Sequence, residues 1–133
     1  MPGKRYVRNA KAVFSLTACL VWCPKYRRPV LVPPVDARLK QILTDVAADH
    51  GIAIHSADIA PDRVRLLIAS DPTMPVAEIV ARFKGRTSRI LRAEFPTLRS
   101  RLPTLWNRSY LALTVGLVPE EIVARFIEEQ RGK

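Results

Sequence analysis

The chain has 133 residues and a mass of 15.0 kDa, and its 22 Lys and Arg against 12 Asp and Glu give a net charge of +10. Apolar residues make up 48% of it, too many for a disordered segment, and the length suits one domain that folds without a disulfide or metal staple. The charge favours a polyanionic partner, and no apolar run approaches the roughly 20 residues of a spanning helix, so nucleic acid is expected ahead of a membrane.

Residues 1–11 are polar and basic and read as a mobile arm, ahead of a single domain over 12–133. Residues 12–22 are rich in β-branched, aromatic and apolar types and predict a strand. Lys4, Arg5, Arg8 and Lys11 precede this stretch as they would in a secretory leader. It runs into Pro24-Lys25-Tyr26-Arg27-Arg28 without a small-residue cleavage site, so a cytoplasmic location is expected. Cys19 and Cys23 lie on or just past the strand, where near neighbours make a poor disulfide, and read as small buried hydrophobes. A basic loop over 23–28 follows.

Pro33-Pro34 opens a helix in which Val35, Leu39, Ile42, Leu43 and Val46 recur at helical spacing, and Gly51 ends it. Residues 52–60 and 63–70 predict two antiparallel strands joined by a Pro61-Asp62 turn, with Asp71-Pro72 as the stop. A long amphipathic helix over 76–93 carries Val76, Ile79, Val80, Phe83, Ile90 and Leu91, with Gly85 inside it. Residues 105–115 predict a fourth strand. Pro119 opens a last helix with Ile122, Val123, Phe126 and Ile127 on one face and Gln130 near its end.

The order strand, helix, strand, strand, helix, strand is the ferredoxin-like β-α-β-β-α-β pattern, an α+β fold with an antiparallel sheet and helices on one face, here followed by a C-terminal helix. The other sheet face is then a platform suited to nucleic acid, although the fold alone does not fix a function.

Several runs carry a more specific signal. They are Leu20-Val21-Trp22-Cys23-Pro24-Lys25-Tyr26-Arg27-Arg28-Pro29-Val30, then Pro61-Asp62-Arg63-Val64-Arg65-Leu66-Leu67-Ile68, then Phe83-Lys84-Gly85-Arg86-Thr87-Ser88-Arg89. Downstream stand Leu105-Trp106 with Ser109-Tyr110, Thr114-Val115-Gly116 and Phe126-Ile127-Glu128-Glu129-Gln130. In order and spacing, over about residues 12 to 130, the chain resembles the small single-tyrosine HUH transposases, the TnpA type of the insertion-sequence 200/605 group.

The resemblance implies a His-hydrophobic-His pair and a Gln that hold Mg²⁺ or Mn²⁺ to polarise a scissile phosphate, and a Tyr that attacks phosphorus and becomes attached to DNA. It also implies a homodimer that recognises single-stranded or hairpin DNA. The sequence departs from that pattern at the reacting positions. The two histidines fall on Arg63 and Arg65, and the nucleophile falls on Phe126. Gln130 is retained, four residues on and so on the same helical face. Cys19 stands where the family often has His.

Residues two apart on a strand share a face, so Arg63 and Arg65 project together. A guanidinium has five donors and no lone pair to offer, so the pair repels a cation that imidazoles would bind. Phenylalanine has no oxygen with which to attack phosphorus. The chain is therefore expected to hold DNA without a metal cofactor and without nicking it. For the arginines two readings stand: a fork that clamps the backbone phosphate, or side chains that drifted into solvent once selection ceased.

Other basic residues carry a broader signal. Arg82, Arg86 and Arg89 form a helical stripe with Lys84 beside it, and Lys25, Arg27 and Arg28 form a cluster around Tyr26. Tyr26, Trp106 and Tyr110 read either as surfaces for unpaired bases or as partly buried core residues. Three alternatives remain at this level. One is an active transposase with a rearranged site, drawing on Tyr110 or Tyr26 and on His50 or His55. Another is a structured-RNA-binding protein. The last is a decayed relic.

Overall fold

The computed structural model describes residues 7–8, 13–14, 16–114 and 120–132, with side chains described for 16–114 and 125–132. Of the basic arm, β1 (Val7–Arg8) pairs antiparallel with β2 (Val13–Phe14). The rest of the arm, with Ala12, Val115, Gly116 and Pro119, lies outside the described residues. The main strand of the first predicted segment is β3 (Leu16–Trp22).

A single 3₁₀ turn at Lys25–Arg27 leads to α1 (Val35–Asp49). This helix buries Val35, Leu39, Ile42, Leu43 and Val46, the residues whose spacing predicts it. It ends as the glycine implies. Gly51 takes φ +64°, a left-handed conformation without cost to a residue lacking Cβ, and the Ile52 N–H returns to the Ala47 carbonyl at 2.8 Å.

Strands β4 (Ala53–Ala60) and β5 (Arg63–Ser70) form a hairpin across the Pro61-Asp62 turn, with a register shift between Ile54 and Ser56. Helix α2 (Val76–Glu94) buries Ile79, Val80, Phe83 and Leu91. Gly85 sits within it without interrupting it. A short α3 (Pro96–Arg101), absent from the sequence reading, starts on a proline at its first turn and buries Leu98. β6 (Leu111–Thr114) and α4 (Glu120–Glu129) complete the chain.

The four-stranded sheet has the order β4-β5-β3-β6, every pair antiparallel. With α1 and α2 as the crossovers, this is the ferredoxin-like arrangement that the sequence predicts. One sheet face meets α1 and α2 through Ala18, Leu20, Trp22, Val64, Leu66 and Ile68, all buried in the main core. Trp22 stacks on Phe83 with ring centroids 6.3 Å apart and meets Trp106 edge-on at 5.9 Å.

Two expectations need correction, on the fourth strand and on the second sheet face, and of the two readings of Trp106 the core one holds. The fourth strand is shorter than 105–115 within the described residues, starting only at Leu111. Ahead of it Trp106 bridges to Pro24, and the Asn107 N–H donates to the Cys23 carbonyl at 2.9 Å. The carbonyls of residues 107, 108 and 109 all accept from Lys84 Nζ, which draws this stretch away from a regular ladder. Trp106 is core: it is 5% exposed and its indole N–H donates to the Thr87 hydroxyl at 2.9 Å. The second sheet face is also not an open platform, because Phe126 and Ile127 of α4 pack on Cys19, Val21, Leu67 and Leu111. Among the described residues no helix is long and apolar enough to cross a membrane.

Candidate nucleic-acid interface

Along β5 the buried Val64, Leu66 and Ile68 face the helical core, so the alternating Arg63, Arg65 and Leu67 project from the opposite face. That is the face α4 crosses. Leu67 joins Cys19, Val21, Phe126 and Ile127 in a small apolar cluster. Arg65 lies opposite Val21 on one side and Asp58 on the other. Positions 63, 65 and 126 therefore share one face of the sheet.

Beside the cluster opens a cleft of about 880 Å³. Arg27, Lys40, Arg63 and Arg65 line it, together with Asp36, Asp58, Glu128 and Ile127. The cations are thus interleaved with carboxylates. Arg63 Nη1 donates to Asp62 Oδ1 at 3.3 Å, and Arg27 Nε meets Asp62 Oδ2 at 3.1 Å. Arg27 Nη1 also donates to the Glu128 carboxylate at 3.1 Å and to the Ile127 carbonyl at 3.4 Å. One carboxylate thus holds two arginines, and one arginine ties the basic loop to the β4–β5 turn and to α4. Neither Asp62 nor Glu128 stands out in the sequence as a site residue. The only local signal was an acid adjacent to Arg63 in a tight turn.

Gln130 is 2% exposed, and both ends of its amide are hydrogen-bonded. Asn107 Nδ2 donates to its Oε1, and its Nε2 donates to the Phe126 carbonyl at 3.2 Å. Lys84 fixes the other side of this contact: its Nζ donates to the carbonyl of Asn107 at 2.6 Å and to those of Arg108 and Ser109 at 3.3 Å. Burial pushes the Lys84 ammonium down to about 8. Lys84, Asn107 and Gln130 thus form a chain from α2 to α4, and Asn107 is a residue that sequence reasoning missed.

The remaining predicted contacts are dispersed. Arg82 Nη2 pairs with Glu78 at 2.9 Å and Arg86 Nη1 with Asp49 at 2.6 Å, while Arg89 is exposed. On the basic loop Arg28 and Tyr26 are exposed, and Lys25 Nζ lies 5.1 Å from the Tyr26 ring centroid. His50 caps the end of α1, and His55 lines a separate groove between α1 and β4. Among the described residues no three His, Cys, Asp or Glu side chains gather as metal ligands would. Cys19 and Cys23 are buried and free, and burial, with Asp62 nearby, raises the Cys23 thiol to about 11.

A ferredoxin-like sheet whose second face is crossed by a C-terminal helix defines the class: a compact α+β domain with a charged cleft lined by α1, β4, β5 and that helix. The family described as "Transposase IS200 like" matches residues 12–130, and the chain belongs to it. It is 37% identical over 123 residues to the ISDra2 transposase TnpA of Deinococcus radiodurans, covering 91% of this chain and 88% of that protein. The transposase of insertion sequence IS200 from Salmonella typhimurium is 27% identical over 99 residues, 73% of this chain and 65% of that protein. In structure the chain is similar to a candidate transposase from Deinococcus radiodurans R1, with a TM-score of 0.87 and 33% identity over 96% of this chain and 99% of that one. A REP-associated tyrosine transposase, solved bound to a REP hairpin, shares the fold at a TM-score of 0.58 and 11% identity, over 94% of this chain and 66% of that one.

Proposed function

We propose that this chain binds single-stranded or hairpin DNA and does not nick it. The observation that carries the reading is the chemistry at positions 63, 65 and 126 on one sheet face. Two guanidinium groups stand there with no lone pair to offer, and the third position is a phenyl ring packed in an apolar cluster. Gln130, the remaining residue to which the family resemblance gives a metal-binding role, has its amide oxygen bonded to Asn107. This set does not fit a divalent cation.

Binding draws on the net charge of +10 and on the cleft arginines. Arg63 and Arg65 clamp the backbone phosphate through bidentate, charge-assisted bonds, and Arg63 rests on Asp62 when no DNA is present. The working unit is a homodimer, as the resemblance implies.

The test is a labelled single-stranded hairpin incubated with the protein in EDTA, Mg²⁺ or Mn²⁺. We expect affinity independent of EDTA, a loss of about tenfold in Arg65→Ala from one charge-assisted contact, and no nick. A covalent protein–DNA adduct would overturn the reading. Phe126→Tyr alone is also expected to give no adduct, since the hydroxyl returns without a group to polarise the phosphate. Equilibrium sedimentation tests the dimer.

A further inference from the structure

The turn at Lys25–Arg27 is restrained from several sides and presents one large ring outward. Tyr26 has φ 60° and Arg27 φ 54°. Side chains with Cβ rarely hold that conformation, and two in succession persist only where their surroundings over-determine them. Those surroundings are present. The Lys25 N–H donates to the Leu105 carbonyl at 2.8 Å, the Arg27 N–H to the Pro24 carbonyl at 2.8 Å, and the Asn107 N–H to the Cys23 carbonyl at 2.9 Å. The Arg27 side chain then locks the turn to Asp62 and Glu128.

All these restraints act on the flanks of Tyr26, and none uses its ring. Tyr26 is 41% exposed and belongs to neither apolar cluster. Its one described ring contact is Lys25 Nζ, 5.1 Å from the centroid. Arg28 stands exposed beside it. A rigid aromatic face flanked by cations is the arrangement on which an unpaired base stacks while its phosphates meet the charges. A base stacked on both sides within a duplex offers no free face to it. Trp106, the other aromatic of this loop pair, is buried against Trp22 and Thr87 and cannot serve.

We propose that Tyr26 is a stacking platform for a single unpaired nucleobase, with Lys25 and Arg28 receiving the adjoining phosphates. This rests on the DNA-binding reading and adds to it a second point of contact, distinct from the arginine cleft. The contact is tolerant of base identity, because every base has a π-face.

The experiment measures anisotropy of a fluorescent single-stranded oligonucleotide and of a series carrying one abasic nucleotide at each position. Wild-type protein, Tyr26→Asn and Tyr26→Phe are compared. Asparagine removes the ring yet tolerates positive φ, so the turn is kept. We expect Tyr26→Asn to lose roughly 5- to 100-fold in affinity for the intact strand, with Tyr26→Phe restoring it because the ring returns. One abasic position should cost the wild type a similar factor and cost Tyr26→Asn nothing further. Intact-strand affinity unchanged in Tyr26→Asn, or losses that simply add at every abasic position, would overturn the platform while leaving DNA binding in place. A wild type that binds no strand would remove both readings.

Discussion

The two faces of the sheet are built on different principles. Toward α1 and α2 the strands offer Leu20, Trp22, Val64, Leu66 and Ile68 to one continuous apolar core, closed by Phe83 and Trp106. Toward α4 the apolar cluster among the described residues is smaller, Cys19, Val21, Leu67 and Leu111 with Phe126 and Ile127, and polar contacts stand beside it: Arg27 with Glu128, and Asn107 with Gln130. Burial of apolar area is the larger and less directional term, so the first face holds the domain together. The second face fixes one helix over a charged cleft. The family-related arginine at 63, ring at 126 and amide at 130 each have partners within the chain.

The sharpest way to break this contrast is to truncate one apolar side chain on each face. Leu66 is fully buried in the main core, and Leu66→Ala is expected to cost about 3–4 kcal/mol. Ile127 is half-buried on the other face, and Ile127→Ala is expected to cost about 1–2 kcal/mol. Urea denaturation of the two variants measures both. Equal losses would mean that α4 is as much a part of the core as α2.

Next comes the amide contact. Asn107→Ala removes the donor to a buried Gln130 oxygen and should cost about 1–3 kcal/mol, most of it from the unsatisfied partner. The loss should appear as faster hydrogen exchange confined to α4, with β3 and β5 still protected. Uniform loss of protection would erase the difference between the faces.

The first face was legible in the sequence and the second only in part. Helix α1 reads directly from Val35, Leu39, Ile42, Leu43 and Val46, and its end from Gly51, because periodicity and a left-handed glycine are local signals. The two hairpin strands and their Pro61-Asp62 turn are local as well. The family match extended this to the placing of 63, 65 and 126 on one face. What was not legible depends on residues far apart in sequence. Lys84 draws residues 107–109 out of the predicted strand across 23 to 25 positions, and Arg27 reaches Glu128 across 101. Neither spacing follows a period. The basic residues illustrate the same limit: composition gave their number, but not that Arg27, Lys84 and Arg86 already have acceptors within the chain.

Lys84 also ties the two faces to pH. Its ordinary value is 10.5, and burial lowers it to about 8. Between those values the unfolded chain keeps a proton that the folded chain has released, so stability rises with pH across that window and is flat just below it. The residue is only part-buried, so solvent screening makes the gain smaller than the loss in Asn107→Ala. Thermal denaturation from pH 7 to 9 should show this slope in the wild type and not in Lys84→Met; above pH 9 the Cys23 thiol, raised to about 11, lowers stability with rising pH and offsets it. A slope of the opposite sign would mean that the three carbonyls hold the ammonium more strongly than burial expels it.

The smallest expected effect bears most directly on the cleft. Asp62 holds both Arg27 and Arg63, with side chains 22%, 17% and 44% exposed. Partly exposed pairs contribute little, so Asp62→Asn should cost no more than about 1 kcal/mol of stability. The same change removes a negative charge from beside two cations, and a phosphate entering the cleft then no longer competes with a carboxylate for Arg63. Affinity for the hairpin should rise about threefold, and more steeply at low salt. A stability loss and an affinity gain from one substitution distinguish a clamp whose arginines wait on acids from an ion-pair lattice that merely staples the helix. The lattice alone predicts the first effect without the second, because its arginines would have no other anion to receive.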